Sequence, residues 1–128
     1  KYAAISDNEK RYEAIYTEDA ELVLVSYGIT SRIVRTAVEK ARQEGLKVGL
    51  FRPISLWPFP SEALGALAKT AAAFMSVELS AGQMVEDVKL AVNGAKPVHF
   101  YGRMGGMMPN PNEIYQQIVN LMQTKGGK

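Results

Sequence analysis

The sequence predicts an α/β fold, a three-layer α/β/α domain whose mostly parallel sheet has four to five strands. Short apolar runs of strand length alternate with longer segments in which apolar residues recur every three or four positions. Short joints connect them, as in βαβ units that close right-handed onto a parallel sheet. We expect residues 1–128 to form one domain, with 1–11 as a linker or tail and 124–128 as a frayed C-terminus.

The first βαβ unit is the clearest part of the pattern. The run LVLV (22–25) is apolar on both faces, as in a central parallel strand. The next segment predicts a helix with Thr30 or Ser31 as its N-cap and Gly45 as its stop. The string KVGLFR then predicts the neighbouring strand.

The N-terminal segment allows two interpretations. The string RYEAIYT (11–17) fits a short edge strand, whereas the wider stretch also fits a helix capped by Asp7 or Asn8. Spacing alone does not decide between them. Because the chain begins with Lys1 rather than Met, we expect a piece cut from a longer polypeptide, or a chain without its disordered ends.

The second half repeats the alternation. After Pro60, a short helix is predicted with Ser61 as its N-cap and Glu62 in its first turn. AAFMSVEL and KPVHFYG predict two more strands, and a helix that ends at Asn93 and Gly94 lies between them. A last helix closes the chain. The apolar positions of these two helices, those of the last one facing inward, are Met84, Val85, Val88, Leu90, Ala91, Val92, Ile114, Ile118, Leu121 and Met122.

Composition excludes several classes of function. The apolar fraction of 47% and the charged fraction of 22% are those of an ordinary globular chain, and the net charge is only +2. The basic residues are scattered, so we expect no nucleic-acid surface. The absence of cysteine excludes disulfides, thiolate metal sites, iron–sulfur ligation and a cysteine nucleophile. No signal peptide is recognised and no apolar run approaches the ~20 residues that span a membrane, so we expect a cytoplasmic protein.

Function in open α/β sheets usually lies at the carboxyl ends of the strands. One of these ends, SYGITS, places a glycine and two hydroxyls at a helix N-terminus, which can hold a phosphate. It lacks G-x-G-x-x-G, and the next strand ends in Arg52 rather than in an acid. We therefore favour a plain N-cap over a nucleotide site.

Glu78 and His99 are the candidates for acid–base chemistry. Glu78 precedes Ser80, which has capping-box spacing to Gln83. No second carboxylate or histidine is placed beside Glu78, so we favour a capping or interface role. His99 is the only histidine and lies mid-strand; it cannot build the usual metal site alone, and we favour a structural, hydrogen-bonded role.

Two loops carry residue types that are common in protein interfaces. In LFRPISLWPFP, three prolines stiffen the chain around an aromatic pair, so docking is favoured over a ligand pocket, although Phe59 equally fits packing on its own domain. GRMGGMM is no P-loop, and its methionines suit an adaptable partner surface. We predict no catalytic, cofactor-binding or metal-binding residue. The predicted interface residues are Arg52, Trp57, Phe59, Glu78, Gln83, Arg103, Met104 and Met107.

Three strings, RPISLWPFP, SAGQMVEDV and YGRMGG, give the chain its resemblance to a known family. It is similar over about residues 12–122 to the C-terminal, transketolase-C-like domain of the alpha-type subunit of 2-oxoacid:ferredoxin oxidoreductases, of the 2-oxoisovalerate or 2-oxoglutarate type. The resemblance implies a mixed sheet with an antiparallel first strand, which favours RYEAIYT as an edge strand.

The resemblance also implies an activity for the whole complex. Such complexes oxidatively decarboxylate a 2-oxoacid to an acyl-CoA and pass electrons to ferredoxin, using thiamin diphosphate, magnesium and iron–sulfur clusters. The implied partners are the N-terminal domain of the same subunit and the other subunits, with ferredoxin and CoA at the level of the complex. The GDG-type motif and the cluster cysteines of the family have no match here, so no catalytic residue carries over.

We therefore expect a structural or assembly domain that is non-catalytic by itself. The alternative is an anion-binding module, for the phosphate of CoA or of a nucleotide, that uses the turn 28–31 and Arg103. A third hypothesis is an independent small enzyme built around Glu78 and His99. A thiamin-enzyme domain encoded upstream of Lys1 would remove this third hypothesis, and its absence would count against the first.

Overall fold

The computed structural model describes residues 12–54, 60–78, 84–94, 96–102 and 110–126, with side chains as far as residue 122. Its strands are β1 (Tyr12–Ile15), β2 (Leu22–Val25), β3 (Val48–Pro53), β4 (Ala73–Glu78) and β5 (Val98–Gly102). Its helices are α1 (Thr30–Gln43), α2 (Ser61–Leu67), α3 (Val85–Val92) and α4 (Pro111–Gly126). The last helix extends three residues into the segment that we expected to fray.

The strands form one sheet in the order β1-β3-β2-β4-β5. β1 runs antiparallel to β3, and all other neighbours are parallel. This arrangement confirms the mixed, mostly parallel sheet and decides the open question at the N-terminus in favour of the edge strand. The outermost strands, β1 and β5, form the two edges of the sheet.

The alternation of side chains along β2 produces two cores. Leu22 and Leu24 face α1 and α4, whereas Val23 and Val25 face α2 and α3. All four side chains are fully buried, as expected of a central parallel strand that is covered on both faces. Helices therefore lie on both sides of the sheet, and the predicted three layers are confirmed.

A tight crossing fixes the loop between β1 and β2. Tyr16 has a φ of 58°, which is uncommon for a residue other than glycine. Its carbonyl lies over Gly49, where an added Cβ would come within 2.6 Å of the Tyr16 oxygen. Arg42 holds the loop from the other side, because its Nη2 donates to the same oxygen at 2.8 Å and its Nε donates to the Val48 carbonyl at 2.9 Å. Glycine is required at position 49 by space rather than by backbone conformation.

The helix ends differ from the expectation at the N-termini of α1 and α2. Ile29, not Thr30 or Ser31, occupies the N-cap of α1, and no side chain caps the helix there. Pro60 occupies the N-cap of α2, so Ser61 is its first helical residue. In both cases, the hydroxyl that sequence favours as a cap lies one or two residues inside the helix.

The helix expected after the Ser80 cap begins only at Val85, with Met84 as its N-cap, whereas the predicted ends of the first and third helices agree with the structure. Gly45 follows α1 with a φ of 88°, and Asn93 ends α3 in the left-handed region. At the start of α4, the Asn110 Oδ1 accepts a hydrogen bond from the Glu113 backbone N–H at 2.8 Å, and Pro111 is the first helical residue. Among the described helices, none is both long and apolar enough to cross a membrane.

Candidate functional site

Strands β2, β3, β4 and β5 are parallel and therefore end at one edge of the sheet, which we call the carboxyl edge. It comprises the described residues that follow these strand ends together with the first turns of α1 and α3. This is where ligands usually bind in open α/β sheets. Arg52 and Glu78, two of the predicted interface residues, lie at the ends of β3 and β4.

Glu78 is a buried carboxylate at the end of β4, with only 1% of its surface exposed. Its Oε1 accepts a hydrogen bond from the Met84 backbone N–H at 2.8 Å, and its Oε2 accepts one from the Ser76 hydroxyl at 3.0 Å. Met84 is the N-cap residue of α3, whose first turn also carries Glu86 and Asp87. The carboxylate therefore accepts the N–H of the N-cap residue, beside the positive end of α3, and is engaged within its own domain.

Arg52 forms a salt bridge across the β1–β3 pair. Its Nη1 lies 3.0 Å from the Glu13 Oε1, and both side chains are partly exposed. The two residues are directly opposite in the antiparallel register. Such an exposed pair contributes at most about 1 kcal/mol to stability, so its main effect is to orient Arg52 along the sheet surface.

The turn 28–31 leads into α1, whose first two residues it includes, and its own donors form several of its hydrogen bonds. The Ser31 hydroxyl donates to the Gly28 carbonyl at 2.6 Å, and the Ser31 N–H donates to the same oxygen at 3.1 Å. Gly28 has a φ of 64°, which a residue with a side chain would adopt only with strain. The hydrogen-bonding groups of the turn are therefore paired in large part within the turn itself.

Two exposed isoleucines at the carboxyl edge are absent from the residues predicted by sequence. Ile29, which precedes α1, is 62% exposed, and Ile54, which follows β3, is 58% exposed. In the sequence, each is flanked by residue types that are common in turns, Gly28 and Thr30 in one case and Pro53 and Ser55 in the other. The sequence signal for these two exposed residues is an isolated aliphatic residue among turn-forming residue types. A short loop has no core of its own against which such a side chain could pack.

The hypothesis of an independent enzyme around Glu78 and His99 is wrong on geometry. In the β4–β5 register Met75 is opposite His99, and Glu78 is opposite Gly102, so the two side chains project from opposite faces of the sheet. His99 is exposed at the edge strand, and no hydrogen bond to its ring appears in the described part of the chain. The expected structural, hydrogen-bonded histidine is therefore not seen.

The remaining predicted interface residues lie outside the residues that the structure describes. They are Trp57, Phe59, Gln83, Arg103, Met104 and Met107. Of the predicted set, only Arg52 and Glu78 have described positions, and these two lie on different strands, each engaged with a residue of its own domain.

The donor chemistry of this chain does not fit the redox groups implied by the resemblance. The sequence contains no cysteine, so it cannot supply the thiolates that hold iron–sulfur clusters. Within the described ranges, no group of three or more His, Cys, Asp or Glu side chains could hold a metal ion. We therefore derive no step through a metal or a cofactor in this domain.

Comparison with known families identifies the fold unit. The profile of the family described as "Pyruvate:ferredoxin oxidoreductase core domain II" matches residues 20–114, which is most of the chain. The chain belongs to this family. Core domain II is the unit that the sequence resemblance suggested, a domain of a 2-oxoacid:ferredoxin oxidoreductase subunit with the transketolase-like α/β fold.

The curated relatives of this core domain II are subunits of such oxidoreductases. It is 52% identical over 94% of its length to ketoisovalerate oxidoreductase subunit VorB from Methanothermobacter marburgensis, and it spans 34% of that protein. It is 34% identical over 83% of its length to 2-oxoglutarate synthase subunit KorA of the same organism, and it spans 28% of that protein. The chain thus spans about a third of the length of the relatives it matches.

Two solved structures share the fold. A 2-oxoglutarate:ferredoxin oxidoreductase from Magnetococcus marinus, with 2-oxoglutarate, coenzyme A and succinyl-CoA bound, has a TM-score of 0.74 at 24% identity; the match covers 92% of this chain and 21% of that one. A split-gene transketolase, an inactive β4 tetramer, has a TM-score of 0.71 at 16% identity, over 84% of this chain and 40% of that one. At these identities, the likeness establishes the fold of core domain II alone.

Proposed function

We propose that this core domain II is a structural and assembly domain of a 2-oxoacid:ferredoxin oxidoreductase, and that it performs no chemistry by itself. The observation that carries the proposal is the carboxyl edge, where Ile29 and Ile54 are exposed while the carboxylate of Glu78 is hydrogen-bonded inside the fold. An edge that offers apolar contacts and a buried, engaged carboxylate suits docking better than acid–base catalysis.

The partners in this proposal are the rest of the same subunit and the neighbouring subunits of the complex. The curated relatives are subunits about three times as long as the matched segment, which supports partners beyond these 128 residues. Thiamin diphosphate, magnesium and the iron–sulfur clusters would be held by those other parts, and CoA and ferredoxin would bind at the level of the complex. The proposed compartment is the cytoplasm.

The substrate class proposed for the whole complex is a branched-chain 2-oxoacid. The relatives at 52% and 49% identity are both ketoisovalerate oxidoreductase subunits, whereas the 2-oxoglutarate relatives are 34% and 35% identical. Turnover of the assembled complex with 2-oxoisovalerate and with 2-oxoglutarate checks the assignment. We expect a higher kcat/KM with 2-oxoisovalerate, and the opposite preference would contradict it.

The non-catalytic role is tested with the purified 128-residue chain. The chain receives a 2-oxoacid, CoA, thiamin diphosphate, magnesium and an electron acceptor, and the assembled complex is the positive control. We expect CoA-dependent reduction of the acceptor by the complex and none by the chain alone. Turnover by the chain alone would overturn the proposal.

The second candidate function is the binding of a phosphate-bearing anion at the turn 28–31. It is supported by the first turn of α1, which carries Arg32 and no acidic residue, so the positive end of the helix is not neutralised. The buried hydroxyl of Ser26, at the end of β2, has no hydrogen-bond partner in the described part of the chain. The turn's own hydrogen bonds make this the weaker candidate.

Calorimetric titration of the chain with CoA, and separately with inorganic phosphate, distinguishes the two functions. Binding that is lost in Arg32→Ala but kept in Arg35→Ala would support the anion module. Arg35 is the matched control because it lies one turn further along the same helix, where it pairs with Glu39 at 3.2 Å. Absence of heat in both titrations would favour the assembly role.

A further inference from the structure

Strand β1 is attached to the domain less firmly than β2, β3 and β4. None of its four side chains is fully buried, whereas most side chains of those three strands are. Tyr12 and Ile15 pack against the two cores only as partly buried neighbours, with the Tyr12 ring stacked on Phe51 at 5.0 Å between centroids. A segment with few buried apolar contacts opens at a lower free energy than the whole domain. The chain is anchored again at Ala20, which is fully buried.

The hydrogen bonds between β1 and β3 follow from the alternation of backbone groups along β3. The Ser26 N–H donates to the Phe51 carbonyl at 3.2 Å, so Phe51 directs its backbone toward β2. Successive residues of a strand direct their N–H and C=O groups to alternate sides, so Leu50 and Arg52 direct theirs toward β1. Together with their register partners they contribute four N–H groups, which we call the strap amides, those of Glu13, Ile15, Leu50 and Arg52.

Gly49 forms a seat for the chain that leaves β1. A Cβ added there would have the Tyr16 oxygen, the Ile15 oxygen and the Tyr16 carbonyl carbon as its three nearest neighbours, at 2.6, 3.0 and 3.0 Å. All three atoms belong to the last residue of β1 and the residue after it. Tyr16 adopts a φ of 58° at this crossing, a conformation that costs free energy for a residue with a side chain. The seat admits this chain because position 49 has no side chain.

Arg42, near the end of α1, forms a latch over the same chain. Its Nη2 donates to the Tyr16 carbonyl at 2.8 Å and to the Asp19 Oδ1 at 2.6 Å, and its Nη1 donates to the Asp19 Oδ2 at 3.2 Å. Its Nε donates to the Val48 carbonyl at 2.9 Å. That carbonyl lies two residues before Leu50 and therefore points to the β1 side of β3 as well. Arg42 thus joins the chain that leaves β1 to the body of the sheet.

We propose that residues 12–16 are a strap that opens and closes on β3 while the rest of the sheet stays folded. Gly49 is its seat and Arg42 is its latch. Opening withdraws no fully buried side chain from either core, and it releases Tyr16 from its left-handed conformation. The Val48 carbonyl remains an acceptor for Arg42 in both states, so the latch keeps a partner when the strap is open.

Opening of the strap changes the charge at the carboxyl edge. β1 runs antiparallel to β3, so its first residues lie opposite Arg52 and Pro53, at the end of β3. Glu13, whose Oε1 lies 3.0 Å from the Arg52 Nη1, leaves with the strap. Arg52 then loses this carboxylate, two residues before the exposed Ile54. The use of the released Arg52 by a docking partner rests on the proposed assembly role, whereas the opening itself does not.

Amide hydrogen exchange of the 128-residue chain, followed by NMR, tests the opening, because residues 49–52 alternate between the two neighbours of β3. We expect the amides of Leu50 and Arg52 to exchange at least about tenfold faster, relative to their intrinsic rates, than those of Gly49 and Phe51. Urea below the unfolding transition should speed the slow pair more than the fast pair, since a local opening exposes little surface. Equal protection of all four amides would overturn the proposal, because the strap would then open only with the whole domain.

Arg42→Ala and Arg35→Ala are a matched pair of substitutions that test the latch. Both residues lie on α1, but Arg35 pairs with Glu39 of the same helix at 3.2 Å, whereas Arg42 contacts Tyr16. We expect Arg42→Ala to speed exchange of the strap amides at least about tenfold, because a charged donor is lost from the closed state, and Arg35→Ala to leave it unchanged. No increase in Arg42→Ala, or an equal increase in Arg35→Ala, would overturn the proposal.

Val88→Ala distinguishes opening of the strap from unfolding of the domain. Val88 lies in the core beneath α3, which contacts β5 at the opposite edge of the sheet, so its contacts persist when the strap opens. The substitution should speed exchange of the Phe51 amide about fivefold or more and leave the strap amides as in the wild type. An equal increase at the strap amides would overturn the proposal, because they would then exchange through unfolding of the domain.

Gly49→Ala tests the seat. The added Cβ displaces the Tyr16 carbonyl, so the strap amides should lose at least about tenfold of their protection. Strap amides that keep wild-type protection in the folded variant would overturn the proposal; if the variant does not fold, the wild type, Arg42→Ala and Val88→Ala still decide. These measurements need no partner or activity, so their failure would leave the assembly role intact, and failure of assembly would leave the strap intact.

Discussion

Glu78 is a candidate for acid–base chemistry in the sequence, but its contacts in the structure are structural. Its two oxygens accept hydrogen bonds from the Ser76 hydroxyl and from the N-terminus of α3, and almost none of it is exposed. A buried carboxylate needs such partners, because an unpaired charge in the interior is costly. The residue therefore ties the end of β4 to the start of α3.

Substitution of Glu78 separates the hydrogen bonds from the charge. Glu78→Ala should lower the free energy of unfolding by about 2–4 kcal/mol, because two buried donors lose their acceptor. Glu78→Gln keeps an acceptor and should cost less than half as much. Urea denaturation measures both, and equal losses in the two variants would show that the carboxylate does not act through these donors.

Asp19 gives the domain a pH dependence at the residue scale. The hydrogen bonds from Arg42, at 2.6 and 3.2 Å, hold the pKa of the Asp19 carboxyl below its ordinary value. A lowered pKa means that the pair contributes stability above the ordinary pKa of an aspartate, about 3.9, and that this contribution is lost as the pH falls through the folded-state value.

We expect Asp19→Asn to be less stable than the wild type at pH 7, and the difference to shrink as the pH is lowered below about 4. Urea denaturation at a series of pH values measures it. Glu18→Gln is the control for the loss of one negative charge, since Glu18 is exposed and forms no ion pair within the described ranges. A difference that persists unchanged at low pH would contradict the assignment.

At the scale of elements, α3 shows why an apolar pattern does not fix exposure. Val88 and Leu90 both belong to its apolar positions, yet Val88 is fully buried and Leu90 is 75% exposed. The helix has only eight residues, and apolar side chains at 88, 90, 91 and 92 cannot all face the sheet at 100° per residue. Leu90 lies on the outer side.

The two positions form a matched pair for mutagenesis. Val88→Ala should lower the free energy of unfolding by about 1–3 kcal/mol, because it leaves a cavity against the sheet. Leu90→Ala should change it by no more than about 0.5 kcal/mol, although it removes more carbon. Thermal or urea denaturation measures both, and a larger loss for Leu90→Ala would mean that α3 turns a different face to the sheet.

The sequence predicts the elements better than it predicts their ends. All four parallel strands and the helices between them follow from apolar periodicity, because burial on one or both faces dictates those patterns. Periodicity left β1 undecided, since four residues with two exposed members carry little signal, and the family resemblance supplied the strand. The caps of α1 and α2 were misplaced because hydroxyls inside a first turn resemble hydroxyls at a cap.

The candidate site was less predictable than the fold. Arg52 and Glu78 could be placed at strand ends, but their partners could not, because Glu13 and Met84 are distant in sequence or bind through the backbone. The pairing of Glu78 with His99 failed for a simple reason: side chains at odd and even positions of aligned strands face opposite ways. Exposed apolar residues such as Ile29 emerge only once the turns are built.

At the scale of the whole molecule, the described part of the domain has a buried core on each side of the sheet and exposed apolar side chains on its surface. Two buried clusters fill both sides of the sheet, whereas the carboxyl edge and β5 leave apolar groups exposed. The relatives are larger subunits, of which this chain spans about a third. These features agree with a domain whose outer surfaces are covered in a larger assembly.

The most direct test of the assembly role is made in the full subunit that carries this sequence. The double substitution Ile29→Asp and Ile54→Asp places charge on the carboxyl edge, and Leu90→Asp places charge on a still more exposed residue of α3 as the control. Both variants are co-purified with the remaining subunits, and turnover is measured per assembled complex.

We expect the double variant to give a yield of assembled complex that is at least about tenfold lower, while the complex that does assemble turns over normally. The control should behave as the wild type. A double variant that assembles as fully as the wild type would contradict the assembly role, whether its turnover is normal or slow.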